Sequence, residues 1–276
     1  MVRKRIALGQ NFFTNPQLVA SLVRNSSVSA DDVVVEIGPG EGIITKELAK
    51  VARKVISIEM DFALANSLKE RMKEQPHVEI HAGDFLKFEV AEPSYKIFSN
   101  IPFNRTADIV KRILNSEQVR EAYLVVQKEA GEKYTGMPWE TEVSVLHKPW
   151  VAAEIARHFK RTDFVPAPST DTVMLHLRRR EEPLLPRQQM ELYRRFVGYG
   201  FHAAKDNLAL SFKKVFTYEQ WKRLARDLKF PLKMTPSGLT FEQWLGLFKY
   251  FLTGVAEEKK AALGFITKEE SRVKRV

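Results

Sequence analysis

The sequence predicts an α/β protein: a mostly parallel sheet covered by helices on both faces, followed by a small all-helical domain. Three observations carry this expectation. Short β-branched runs alternate with amphipathic stretches over residues 33–180. A glycine-rich turn, Glu36-Ile37-Gly38-Pro39-Gly40-Glu41-Gly42, follows the first run, and beyond Arg178-Arg179-Arg180-Glu181-Glu182-Pro183 only helical periods remain. Strand, crossover helix and strand in succession give parallel pairing, because the crossover brings each strand back in the same direction.

Val33-Val34-Val35-Glu36-Ile37, Lys54-Val55-Ile56-Ser57-Ile58, His77-Val78-Glu79-Ile80, Tyr95-Lys96-Ile97-Phe98 and Tyr123-Leu124-Val125-Val126 read as the strands, with helical periods between them. The runs 151–159 and 172–177, separated by Pro166 and Pro168, read as a closing antiparallel pair. Helical periods then fall at 187–201, 205–215, 217–228 and 240–253. The expected organisation is a catalytic domain over 1–178, a linker at about 179–186 and a helical domain over 187–276, whose charged end from about 256 reads as a frayed tail.

At 276 residues and 44% hydrophobic, the chain can bury one large core and a second smaller one. It has no cysteine, which excludes disulfides and thiolate metal sites, and its six histidines lack metal-ligand spacing. No run approaches the roughly 18 apolar residues of a membrane span. No signal-type apolar region follows Met1-Val2-Arg3-Lys4-Arg5, so a soluble cytoplasmic protein, a monomer, is expected. Residues 1–177 hold 23 Lys/Arg and 23 Asp/Glu, whereas 178–276 hold 21 and 11, so the whole net charge of +10 lies in the C-terminal third. Such a segment attracts polyanions, nucleic acid first, because each phosphate neutralised releases a counterion.

The chemistry-bearing residues fall at successive strand ends. Gly38, Gly40 and Gly42 allow tight turns and close approach of the backbone to a ligand at a helix N-terminus. The spacing departs from the dinucleotide fingerprint, which asks for a small residue where Ile43 stands. Glu59, 17 positions beyond Gly42, can accept both ribose hydroxyls of an adenosine, and Asp84 can accept from an adenine amino group. A solvated strand-end acid and a capping Asp are the bland readings of these two. Asn100-Ile101-Pro102-Phe103 adds an amide, a rigid turn and an aromatic face, suited to gripping a nucleobase by its NH2. The same four residues also suit a loop in which Asn caps and Phe packs. Ligands of open α/β sheets bind at this carboxyl edge.

Together with Leu8-Gly9-Gln10-Asn11-Phe12-Phe13 and Phe164-Val165-Pro166-Ala167-Pro168, these motifs resemble the ribosomal RNA adenine N(6)-methyltransferase family over nearly the whole chain. The resemblance implies S-adenosylmethionine as methyl donor, a Rossmann-like seven-stranded sheet, and a C-terminal helical domain that contacts RNA. It implies cofactor contacts from Asn11, Phe13, Gly38, Glu59, Asp84 and Asn100. Ile101 and Phe103, with Lys214-Val215-Phe216-Thr217-Tyr218-Glu219-Gln220-Trp221 and Leu239-Thr240-Phe241-Glu242-Gln243-Trp244, are similar to the macrolide-resistance branch acting on 23S rRNA. Gln127-Lys128-Glu129 and Leu8-Gly9-Gln10 are shared with the housekeeping branch that dimethylates 16S rRNA. A non-catalytic nucleic-acid-binding relative and a DNA adenine methyltransferase are the rivals. Arg105-Thr106-Ala107, Ala167, Thr170 and Thr172 depart from the family pattern and bear on substrate details.

For the chemistry, Asn100 Oδ1 and the Ile101 carbonyl would accept the two amino hydrogens of an unpaired or flipped adenine. Pro102 would hold the turn, Phe103 would stack on the ring, and Phe164 would close its other face. Arg157, Lys160 and Arg161, with Arg105, Lys111 and Arg112 near the target loop and Arg3, Lys4 and Arg5 as an arm, are the expected RNA contacts.

Overall fold

The computed structural model describes residues 11–203, 205, 207–260 and 263. The expected arm Arg3-Lys4-Arg5, Leu8-Gly9-Gln10 and most of the charged tail lie outside these residues.

The described chain forms two compact units, one ending at Glu132 and resuming at Val151–Arg179, the other comprising Lys133–Trp150 and the chain from Arg180 on. The partition differs from a single break at 179–186 by one segment. Lys133–Trp150 contains a short helix, Glu142–His147, whose Val145 carbonyl accepts from the buried Tyr193 hydroxyl at 3.0 Å. Local sequence gives no sign of such a long-range attachment.

In chain order the elements of the first unit are β1 (Phe12–Phe13), α1 (Pro16–Arg24), β2 (Val33–Ile37), α2 (Ile43–Leu48), β3 (Lys54–Glu59), α3 (Phe62–Arg71), β4 (Val78–Ala82), β5 (Tyr95–Asn100), α4 (Thr106–Asn115), β6 (Val119–Gln127), β7 (Val151–Phe159), β8 (Phe164–Val165) and β9 (Thr172–Arg179). α5 (Lys128–Thr135) follows β6 directly, and the short helix Glu142–His147 is α6. Seven strands make one sheet in the order β4-β3-β2-β5-β6-β9-β7. β2 to β6 run parallel, and β9 pairs antiparallel with both β6 and β7. This is the expected α/β architecture. β2 is wholly buried, as expected of a strand covered on both faces; its one polar residue, Glu36, is buried with the rest.

Sequence order reverses between β2 and β5, so the crevice beyond their carboxyl ends is the topological switch point of the sheet. Register keeps these ends level: Ile37 lies opposite Ile58, Glu59 opposite Ala82, and Asn100 opposite Val125. α1 starts at Asn15, whose side chain accepts from Gln17 N at 2.9 Å, and buries Val19, Leu22 and Val23 beneath the sheet in a core shared with Phe98 and Tyr123.

The second unit packs around aromatic side chains. α7 (Met190–His202), α9 (Tyr218–Asp227) and α10 (Phe241–Gly254) bury Phe196, Trp221, Trp244, Phe248 and Phe251, and a short α8 (Leu208–Ser211) adds Leu208. α9 and α10 begin in the same way. Thr217 with Gln220, and Thr240 with Gln243, close reciprocal caps, and the following Trp indoles donate to the Leu232 and Pro236 carbonyls, both at 3.1 Å.

Candidate active site

Three residues of the glycine turn have positive φ, Gly38 at 66°, Gly40 at 56° and Gly42 at 78°. Gly40 is required twice over, since a Cβ there would lie 2.5 Å from Phe12 Cε1. Its amide donates to Glu59 Oε2 at 3.0 Å, while Glu59 Oε1 accepts from Asp61 N at 2.9 Å. The buried Glu59 carboxylate is thus held rigidly by two main-chain donors, and each oxygen keeps lone pairs for a ligand.

Glu36 lies beneath the same turn, accepting from Thr45 Oγ1 at 2.6 Å and Ser57 Oγ at 2.9 Å. Burial, with the nearby Glu59 charge, pushes its carboxyl up to about 7 against those hydrogen bonds. Glu36 therefore ties β2 to β3 and α2 under the loop.

A cleft of about 490 Å³ opens between Glu59, Asp84 and Pro102, with Ile37, Ile58, Met60, Phe62, Phe85 and Ile109 as apolar walls. A rigid carboxylate at one end and apolar faces around it fit a purine nucleoside. Met60 and Phe62 are exposed despite being large and apolar. Sequence reasoning passed over them because a charged strand end drew attention to Glu59 alone. Asp84 Oδ1 accepts from Leu86 N at 3.0 Å, and Oδ2 pairs with both terminal nitrogens of Arg105 at 3.2 and 3.3 Å. Arg105, expected to meet RNA, is engaged within the protein.

Beyond Pro102 a smaller depression is lined by Asn11, Phe13, Glu36, Gly38, Pro39, Asn100 and Ile101. Gly38 and Pro102 border both spaces, so the two are neighbours across one ridge. Asn100 Nδ2 donates to the Asn11 carbonyl. A carbonyl only accepts, so the amide nitrogen must face it, and Oδ1 accepts from no donor among the described residues. Ile101 is buried, Pro102 sits at φ −64°, and Phe103 begins a 3₁₀ turn, half-buried.

The expected role of Phe164 is not met. Its ring is 2% exposed and stacks on Phe13 at 4.7 Å between centroids, with Phe159 edge-on to both. Phe13 pairs with Phe164, and Phe12 with Val165, in the small antiparallel sheet β1–β8. Phe164 is a core residue that anchors the strand beside Asn11. It presents no face to a base, whereas Phe13, though largely buried, borders the smaller depression beside Asn100.

The basic candidates also divide. Arg112 donates to the Phe88 carbonyl and lies over the Phe85 ring at 4.9 Å, a packing role behind the cleft. Lys111, Arg157, Lys160 and Arg161 are exposed, the last three on or just after the edge strand β7. Arg161 is 3.6 Å from Asp171, a surface pair of little energetic weight.

A family model described as ribosomal RNA adenine dimethylase matches residues 1–252. The chain is 34% identical over 249 residues to an rRNA methyltransferase of Streptomyces thermotolerans, covering 90% of this chain and 83% of that one. It is 33% identical over 234 residues to the ribosomal RNA small subunit methyltransferase A of Thermotoga petrophila, covering 82% and 88%. Among solved structures, 23S rRNA methyltransferase ErmE superposes with a TM-score of 0.83 at 30% identity, covering 88% of this chain and all of that one.

Proposed function

Since the chain belongs to the ribosomal RNA adenine dimethylase family, we propose that it methylates the exocyclic amino group of an unpaired or flipped adenine in 23S rRNA, with Asn100 and Ile101 as the groups that hold that amino group. It is an S-adenosylmethionine-dependent rRNA adenine N6-methyltransferase, and the cleft at the switch point, with Glu59 among apolar walls, fits that cofactor. Bound there, the cofactor supplies an electrophilic methyl group on a sulfonium. Glu59 would hold the ribose hydroxyls, the Gly38–Gly42 backbone would admit the amino-acid end, and Met60, Phe62 and Phe85 would enclose the base.

Adenine N6 is a poor nucleophile because its lone pair is delocalised into the ring. Accepting both its hydrogens at Asn100 Oδ1 and the Ile101 carbonyl favours a pyramidal nitrogen and stabilises the positive charge that develops as the N–C bond forms and the S–C bond breaks. The methylated nitrogen then loses its proton to water, so no dedicated base is needed. Phe103 stacks on the ring. The fixed orientation of the Asn100 amide is the observation that carries this reading.

The helical domain and the exposed Lys111, Arg157, Lys160 and Arg161 supply RNA contacts, and the protein works as a cytoplasmic monomer. Among the described residues no helix is long and apolar enough to cross a membrane. The 23S preference and a role in macrolide resistance are supported by the ErmE likeness and by Ile101 and Phe103. The Thermotoga relative, named for the small subunit, makes 16S rRNA the second reading. Labelled methyl transfer to protein-free 23S and 16S rRNA, with the modified adenines mapped, decides between them. Label appearing only in 16S would overturn the preference, and no label in either RNA would overturn the reading.

A further inference from the structure

Outside the methyl-transfer site, large apolar side chains stand open to solvent in the turn that precedes the helix Glu142–His147. The turn Gly136-Met137-Pro138-Trp139, between α5 and the helix Glu142–His147, exposes 67% of Trp139 and 60% of Met137. The three other tryptophans of the chain, Trp150, Trp221 and Trp244, are at most 5% exposed. A large aromatic side chain left this open forgoes the burial that normally holds it.

The turn itself is firmly built. Gly136 has φ +73°, and a Cβ there would fall 2.2 Å from Glu140 Oε2. The buried Glu140 carboxylate accepts from Ser144 Oγ at 2.6 Å and pairs with the Lys148 ammonium, which lies 5.7 Å from the centre of the Phe241 ring. Thr141 donates to the Lys133 carbonyl at 2.6 Å and caps the following helix together with Ser144. Fixed at both ends, the backbone offers Met137 and Trp139 to solvent as a preorganised surface, with little ordering left to do on binding.

Charge decides the kind of partner. The acid that follows the turn, Glu140, is buried and paired with Lys148, and the next, Glu142, lies 2.8 Å from His202. Lys133 is exposed one turn earlier. A flat indole whose nearest acid is paired with a lysine, with the exposed Lys133 a few residues before it, accepts a nucleobase with little repulsion of its phosphate. We propose that Trp139, with Met137 presented by the same turn, is a stacking platform for an unpaired base of the RNA substrate distinct from the adenine that is methylated. The proposal rests on the reading of the chain as an RNA methyltransferase. Structured rRNA carries unpaired bases besides the target adenine, and an aromatic face recovers the stacking of such a base.

The test measures RNA affinity, indole emission and methyl transfer in parallel on the whole chain, using protein-free 23S rRNA and an unstructured adenine-rich oligoribonucleotide. Trp139→Ala should weaken RNA binding by about 5- to 100-fold. Trp139→Phe should retain most of the affinity, and both variants should keep the wild-type melting temperature and cofactor affinity. RNA should quench the wild-type indole emission, and Trp139→Phe should abolish that quenching although the buried tryptophans still emit. Trp139→Ala binding RNA within twofold of wild type would overturn the platform. So would loss of self-association in that variant with RNA affinity intact, since Trp139 would then be covered by a second copy. If wild type transfers no methyl to any rRNA, the enzymatic reading falls while quenching and affinity still judge the platform. If wild type methylates and Trp139→Ala binds normally, the platform alone falls.

Discussion

The side-chain nitrogen of Asn100 donates to the main-chain carbonyl of Asn11, 89 positions earlier in the chain. That bond leaves Oδ1 as the remaining acceptor, so the orientation of the Asn100 amide is set by the segment just before β1. The β1–β8 pairing beside Asn11, packed through Phe13 on Phe164, holds the carbonyl in place.

Asn100→Ala and Asn100→Asp should both lose activity. Aspartate keeps an acceptor but cannot donate to Asn11, and its charged oxygen would face a carbonyl oxygen. A fall in kcat of roughly 10²- to 10³-fold is expected, the scale of deleting one preorganised hydrogen bond in an active site. Melting temperatures should hold, and undiminished turnover in either variant would remove Asn100 from the mechanism.

Phe103 and Phe164 should separate cleanly. Phe164→Ala leaves a cavity among Phe13 and Phe159 and should cost about 3–5 kcal/mol of stability by chemical denaturation. Phe103→Ala should leave stability nearly unchanged and reduce methyl transfer more than Phe103→Tyr, because a tyrosine ring still stacks. Equal losses for the two Phe103 variants would argue against stacking.

Gly40→Ala should weaken cofactor binding, measured by calorimetry, because its Cβ collides with the Phe12 ring and its φ is +56°. Phe12→Ala in the same chain should recover part of the loss by removing the collision while leaving the backbone strain. No recovery in the double variant would locate the whole effect in the dihedral.

Glu36 predicts a pH-dependent stability. Its carboxyl is raised from 4.5 to about 7 in the folded protein, so the fold holds this proton more tightly than the unfolded chain does. The stability it contributes is complete below about pH 4.5 and is lost as pH rises through about 7, a change on the order of 3 kcal/mol at roughly 1.4 kcal/mol per pH unit. Glu36→Gln keeps an acceptor for Thr45 and Ser57 and should flatten that part of the denaturation profile. An unaltered slope in the variant would count against Glu36 as its source.

RNA affinity should report which cations reach a phosphate. Lys111→Ala or Arg161→Ala should each reduce the slope of log affinity against log salt by about 0.7–0.9 for one phosphate contact. Arg112→Ala should instead lower stability, having lost its bond to the Phe88 carbonyl, and leave the slope in place. A slope change for Arg112 alone would reverse this assignment.

Sequence alone determined the sheet-and-helix division, because Val33–Ile37, Lys54–Glu59 and Tyr95–Asn100 carry a local signal in their own composition, and so do the four helical periods after residue 183. It also determined that Gly38, Glu59, Asp84 and Asn100 end successive parallel strands, since strand ends follow from the runs that precede them. Only the tertiary structure decided what each polar or aromatic side chain does there. Arg105 is spent on Asp84, Arg112 on the Phe88 carbonyl, and Phe164 on Phe13, while the Asn100 amide is oriented by Asn11. Those outcomes depend on partners 21 to 151 positions apart in the chain, which no local period encodes. A side chain's hydrogen bonds and burial are settled by whichever groups the fold brings within a few ångströms of it.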